Sequence, residues 1–207
     1  MNTLYEQRDG YWVPKRDKYC WRATSVEVND IAVFMEYVKN RRTCIQAGGN
    51  FGLFASRYAG LFDTVHTFEP DELNFGSLEM NTQHLPNVNR YWNALGAEKG
   101  TASLDEIQKD NLGAHQIKDG DDFSVETIDS YGFTDVDLIQ LDIEGYEQAA
   151  LFGGEKTILR DKPTIVLELK GIGERYGYSD QFTIEWLAER GYKHVKTIHR
   201  DLIFTHE

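Results

Sequence analysis

Residues 43–70 constrain the fold more than any other part of the chain. They begin Thr43-Cys44-Ile45-Gln46-Ala47-Gly48-Gly49-Asn50-Phe51-Gly52, pass through a short amphipathic segment, and end Val65-His66-Thr67-Phe68-Glu69-Pro70. The pattern reads strand, tight glycine turn, helix, second strand, acidic residue, which is the layout of a nucleotide-binding βαβ unit. Glycines let a backbone turn sharply off a strand and come close to a ligand. The helix that follows directs free N–H groups at that ligand. A carboxylate at Glu69, closing the second strand, can accept both hydroxyls of a ribose.

The glycine spacing narrows the ligand. A dinucleotide fingerprint reads G-x-G-x-x-G and lines a pyrophosphate. Here Gly48, Gly49 and Gly52 depart from it and suit a ligand with a ribose but no pyrophosphate. S-adenosylmethionine, built from a ribose, an adenine and an amino-acid tail, is such a ligand. An ordinary βα turn followed by a surface glutamate would use the same residues, so the rest of the chain has to decide.

That rest alternates. Strands are expected over residues 43–47, 64–68, 88–95, 136–141 and 164–169, with helices over 28–39, 51–59, 71–84, 147–159 and 182–190. Asn29 or Asp30 can cap the first helix, and Asp71 begins the helix after Glu69. Residues 105–122 read as a polar loop, 123–131 as a short helix or a strand–helix element, and 171–180 as a glycine-containing loop. Two strands, 192–197 and 201–204, close the chain around His199-Arg200. Alternating β and α elements imply a doubly wound, mainly parallel seven-stranded α/β sheet with an antiparallel C-terminal hairpin. Residues 1–27, aromatic and charged without clear periodicity, are expected to be an extension packed on one domain of residues 28–207.

Composition excludes several classes. A net charge of −12 opposes a nucleic-acid binder, which needs clustered Lys and Arg. The 2 cysteines, Cys20 and Cys44, form no disulfide framework or zinc site, so no metal is expected and the compartment reads as reducing. No apolar run reaches the length of a membrane span and no signal-type segment opens the chain, which gives a cytoplasmic expectation.

Several motifs in order resemble one family. They are Gln46-Ala47-Gly48-Gly49-Asn50-Phe51-Gly52, Phe68-Glu69-Pro70, Asn93-Ala94-Leu95, Leu141-Asp142-Ile143-Glu144-Gly145-Tyr146-Glu147 and Lys162-Pro163-Thr164-Ile165-Val166-Leu167-Glu168. Together they resemble the successive motifs of FkbM-type methyltransferases over residues 43–169. The resemblance implies a class I fold, S-adenosylmethionine as cofactor, and methyl transfer, usually to a hydroxyl oxygen of a small molecule or sugar. The chain departs from the family at Gln46, where an aspartate is usual, and at Gly49, where an alanine is usual. Gln46 keeps a hydrogen-bonding side chain but loses the charge, which implies a remodelled contact near the amino-acid end of the cofactor.

Candidate residues follow. Gln46, Ala47, Gly48, Gly49, Asn50, Glu69, Pro70, Asn93, Ala94 and Asp142 are the expected cofactor contacts, with Asn93 and Ala94 beside the adenine. His115, Asp142 and Glu144 are the candidate catalytic residues. A histidine on the expected loop could remove a hydroxyl proton near neutral pH, and so could a carboxylate at the sheet edge. Asp142 and Glu144 would otherwise serve as a helix cap and a first-turn acid. Glu147 reads as a solvated or ion-paired residue, and His66 and His84 as structural. Two other functions compete: a cofactor-binding accessory protein without turnover, and an NAD-dependent oxidoreductase.

Overall fold

The computed structural model describes residues 4–206. A hairpin, β1 (Tyr5–Arg8) and β2 (Tyr11–Pro14), leads to helix α1 (Cys20–Glu27), which runs through a 3-10 turn, Val28–Asp30, into the short α2 (Ile31–Phe34). The helix expected over 28–39 therefore starts and ends earlier. Its cap is neither Asn29 nor Asp30. Asp17, fully buried, accepts the N–H groups of Cys20 and Trp21 at 3.0 Å each, with the Arg8 guanidinium 3.3 Å away. Cys20, Trp21, Val28, Ile31 and Phe34 belong to one core cluster, so packing is continuous across residue 28.

The βαβ unit follows as β3 (Thr43–Ala47), α3 (Leu53–Ala59), β4 (Thr64–Phe68) and α4 (Glu72–Thr82). Asp71 caps α4 by accepting the Asn74 N–H at 2.9 Å. The strand expected over 88–95 divides: β5 (Val88–Tyr91) stays in the main sheet and β6 (Ala94–Leu95) leaves it. Two further strands, β7 (Gly100–Glu106) and β8 (His115–Glu126), pair antiparallel and join β6 in a three-stranded sheet. This corrects the polar loop expected over 105–122, whereas residues 123–131 form a strand–helix element, one of the two alternatives expected there, as the end of β8 and a 3-10 turn. Lys118, Asp119, Gly120, Asp121 and Asp122 lie on an exposed stretch of a long strand, while Ile117, Phe123 and Val125 pack with Ala94 and Ala102.

After a 3-10 turn, Ile128–Tyr131, come β9 (Val136–Leu141), α5 (Glu147–Phe152) and α6 (Glu155–Asp161). The single helix expected over 147–159 is broken at Gly153-Gly154, where a Cβ on Gly153 would run into the Gly96 carbonyl oxygen. Gly153→Ala should therefore destabilise the protein by about 1–3 kcal/mol, because the obstacle is backbone. A thermal melt should show Tm falling roughly 2–4 °C for each kcal/mol; an unchanged Tm would mean that the two backbones separate freely. The chain closes with β10 (Thr164–Glu168), a 3-10 turn at Ile172–Tyr176, α7 (Asp180–Glu189), β11 (Tyr192–Ile198) and β12 (Asp201–His206).

The main sheet has seven strands in the order β11-β12-β10-β9-β3-β4-β5. Only β12 runs antiparallel to its neighbours, and the other pairings are parallel, as the β/α alternation implies. Cys44, Val65, Leu138, Val166 and Ile203 face one layer with α1, α2, α3 and α4. Ile45, Ala47, Ile139, Leu141, Ile165 and Leu167 face the other with α5, α6 and α7. Strands buried on both faces read as continuous apolar runs, which is why they were legible. The strand order reverses between β3 and β9, and open α/β sheets bind ligands beyond the carboxyl ends of their strands at such a point. Among the described residues no helix is long and apolar enough to cross a membrane.

Candidate functional site

A cleft of about 300 Å³ opens at that switch point. Its floor is the turn after β3. Gly48 has a φ of +84°, and a Cβ there would strike the Asp142 carbonyl oxygen, so the turn and the end of β9 touch directly. The N–H groups of Gly48 and Gly49 donate to the Phe68 carbonyl at 3.2 and 2.8 Å, which ties the turn to β4. Asn50 also has a positive φ, and its side chain donates to the Cys20 sulfur at 2.9 Å, fastening α1 over the turn.

Glu69 ends β4 inside this cleft and is only 5% exposed. Its carboxylate accepts the N–H of Asn50 at 2.7 Å and of Asp71 at 2.9 Å. Burial, reinforced by the Asp71 carboxylate, pushes its pKa up to about 8 against the pull of those backbone donors. Pro70, Asn93 and Ala94 line the wall beside it. Asn93 is held by its amide, which donates to the Tyr131 hydroxyl at 3.0 Å.

The other end of the cleft is charged. Leu141 of β9 pairs with Leu167 of β10, so Asp142 and Glu168 follow side by side at the carboxyl ends of adjacent strands. Carboxylate oxygens of Asp142, Glu144 and Glu168 lie within 4.8 Å of one another. The Lys170 ammonium donates to Glu144 at 2.8 Å and to Glu168 at 2.5 Å, balancing this charge from within the protein. Burial and the neighbouring Glu168 carboxylate push the Asp142 carboxyl well above its ordinary range. Burial would raise Glu168 too, but the Asp142 hydrogen bond and Lys170 hold it low. Two carboxyls this close do not ionise independently, and Lys170 favours the negative charge on the Glu168 side. Glu27 of α1 and Arg200 lie close enough to Glu168 to act on its charge, and Thr24 and Tyr146 also line the cleft.

Ala47, Gly48, Asn50, Glu69, Pro70, Asn93, Ala94, His115, Asp142 and Glu144, all singled out in the sequence, line the cleft together. Gln46 and Gly49 lie behind it. The Gln46 amide donates to the Gly48 carbonyl at 2.8 Å, and its oxygen accepts the Thr67 hydroxyl at 2.5 Å. Gln46 thus shapes the turn from beneath rather than reaching into the cleft. Gly49 packs against Thr67 and Leu78, where a Cβ would be crowded. His115 sits at the start of β8, not on a loop, with its Nδ1 3.0 Å from Asp71. Glu147 is neither solvated nor ion-paired: it is buried and accepts the N–H groups of Ile143 and Gly145 at 3.0 and 3.2 Å, fixing the loop that carries Asp142 and Glu144. His66 stacks on Phe133. Cys20, Asp71, Asn74, Glu168, Lys170 and Arg200 escaped the sequence reading as site residues. The parity of two parallel strand ends would have found Glu168 beside Asp142.

A seven-stranded sheet with this order, one antiparallel strand near its edge and a glycine turn facing a carboxylate at the switch point, is the fold of class I methyltransferases. Residues 46–194, more than half of the chain, match the methyltransferase FkbM domain family. The chain belongs to the FkbM methyltransferase family. The structure is similar to methyltransferase FkbM from Methylobacillus flagellatus KT, with a TM-score of 0.51 and 18% identity, over 79% of this chain and 43% of that one. The present chain thus spans less than half of that protein's length. It is also similar to a ribosomal protein L11 methylase from Lactobacillus delbrueckii subsp. bulgaricus, with a TM-score of 0.53, 10% identity and coverage of 94% and 84% of the two chains. An rRNA methylase from Streptococcus thermophilus gives a TM-score of 0.51 at 10% identity, over 85% and 92%. No curated protein matches the sequence.

Proposed function

We propose that the protein transfers a methyl group from S-adenosylmethionine to a hydroxyl oxygen of a small molecule or sugar. The observation that carries this is Glu69: a nearly buried carboxylate at the switch point, fixed by two backbone N–H groups and facing a cleft of nucleoside size. The residues present fit such a cofactor. The wall near Glu69 also holds buried polar atoms without partners, the His115 Nε2 and the Asn74 Oδ1, which suit a ligand bearing hydroxyls. Glu69 would hold the ribose, Pro70, Asn93 and Ala94 the adenine, and the Gly48–Asn50 turn with Asp142 the amino-acid end.

When bound, the cofactor supplies an electrophilic methyl carbon on a sulfonium. The protein then has to align the acceptor oxygen and receive its proton. Glu168, held low by Asp142 and Lys170, is the group suited to receive it, and Glu144 with Lys170 steadies the pair. The mixed charges at this end suit a polar, hydroxylated acceptor, and the overall charge of −12 disfavours a nucleic acid.

Incubation with methyl-labelled S-adenosylmethionine and a panel of sugars, polyols and small alcohols tests the reading. The expected result is acceptor-dependent label transfer with release of S-adenosylhomocysteine. Binding of NAD in preference to S-adenosylmethionine would overturn it in favour of an oxidoreductase. Cofactor binding with no turnover on any acceptor would favour the accessory role.

A further inference from the structure

His115 is 4% exposed at its side chain and lines the cleft, yet its Nε2 has no hydrogen-bond partner. Its other nitrogen, Nδ1, is 3.0 Å from Asp71 Oδ2. Asp71 is itself fixed twice. Its Oδ1 accepts the Asn74 N–H at 2.9 Å, and its own N–H donates to Glu69 Oε1 at 2.9 Å. An ionised carboxylate only accepts, so Nδ1 carries a proton toward Asp71, and in the tautomer with that proton alone Nε2 is a bare acceptor. Burial opposes ionisation of Asp71, but the His115 and Asn74 hydrogen bonds outweigh it and hold the group below its ordinary value.

A second atom shares this condition. Asn74 donates its amide to the Leu112 carbonyl at 2.9 Å, and its Oδ1 is buried without a partner. Glu69, His115 and Asn74 therefore line the cleft together: the Asn74 side chain hydrogen-bonds Glu69, while its Oδ1 and the His115 Nε2 are left without partners. Leaving buried acceptors unpaired is costly, so the ligand has to bring the donors. A free cis-diol brings two; a phosphate or carboxylate brings none. The charged neighbours of Asp142 are instead Glu168, Lys170 and Glu144, at the opposite end.

Resting on the methyltransferase reading above, we propose that His115 is a cofactor-reading residue: its Nε2, set by Asp71, accepts a hydrogen bond from a ribose hydroxyl beside Glu69, and it does not take the acceptor's proton. It makes the cleft specific for a nucleoside whose hydroxyls are both free.

The test is a binding cycle by calorimetry. Wild type, His115→Phe and His115→Gln are titrated with S-adenosylhomocysteine and with its 2′-deoxy and 3′-deoxy analogues. His115→Phe should weaken binding of S-adenosylhomocysteine about tenfold, and His115→Gln, which keeps an acceptor, should recover part of the loss. For the deoxy analogue that lacks the hydroxyl read by His115, wild type and His115→Phe should bind alike, because the bond is already absent. A merely structural role would weaken all three ligands equally, and that result overturns the proposal, as does equal affinity of wild type and His115→Phe for S-adenosylhomocysteine. If His115→Phe does not fold, equal wild-type affinity for all three ligands overturns it, and loss with one deoxy analogue, matched by loss in His115→Gln, supports it. Failure of the wild type to bind S-adenosylhomocysteine would instead overturn the methyltransferase reading, and this proposal with it.

Discussion

Glu168→Gln should lower methyl transfer by about 10²- to 10⁴-fold, the range that general-base catalysis supplies. An alcohol is a poor nucleophile while it keeps its proton, and Glu168 is the member of the carboxyl pair that Asp142 and Lys170 hold low. Glutamine keeps the size and a hydrogen-bonding oxygen but cannot receive a proton. Asp142→Asn is the companion variant. It still offers a donor to Glu168, so it should cost less than Glu168→Gln. The rate of S-adenosylhomocysteine release, measured with the best acceptor from the screen, distinguishes them. A larger loss in Asp142→Asn would transfer the role to Asp142, and full turnover in both would leave alignment alone as the source of catalysis.

Glu69→Ala should weaken cofactor binding roughly thirtyfold. Two hydrogen bonds from a diol to a carboxylate are charge-assisted, and a net loss of about 2 kcal/mol corresponds to that factor. Alanine also strips the acceptor from the Asn50 and Asp71 N–H groups, which then have to find water in the cleft. The pH dependence carries a sign. In the empty cleft Glu69 has its pKa pushed up to about 8, so below that pH it is protonated and binding through the carboxylate requires a proton to leave. Affinity should therefore strengthen as pH rises toward 8, by up to about tenfold per unit, and level off above it. Calorimetry at several pH values checks both points. A flat profile in the wild type, or unchanged affinity in Glu69→Ala, would remove this carboxylate from the site.

The central sheet was legible because its strands are buried on both faces and their helices keep an apolar stripe. Glu69 was legible because it closes such a strand. Other parts carry their reasons elsewhere in the chain. β8 reads as a loop because its middle, Lys118 to Asp122, is polar; residues 119–122 bulge out of the ladder, and pairing with β7 and β6 on either side makes the strand. α1 spans barely two turns and is capped from Asp17 rather than from its own first residue, so no local periodicity announces it. The break between α5 and α6 is caused by the carbonyl of Gly96, far away in sequence. Gln46 was placed in the cleft because its motif abuts the glycine turn. In a strand, side chains alternate between faces, and Gln46 turns under the loop toward Thr67.

The family match covers residues 46–194, but the cleft does not stop there. Tyr19, Cys20, Ala23, Thr24 and Glu27 form a wall from the segment before it, and Arg200 adds a charge from beyond it. On the proposed reading, specificity is therefore written in the flanks as well as in the matched stretch. Under it, the nucleoside end draws on the matched stretch, whereas Glu27 and Arg200 bring charge from the flanks to the end that holds Glu168. On that reading, relatives with different acceptors should be compared at these flanks as well as at the shared motifs.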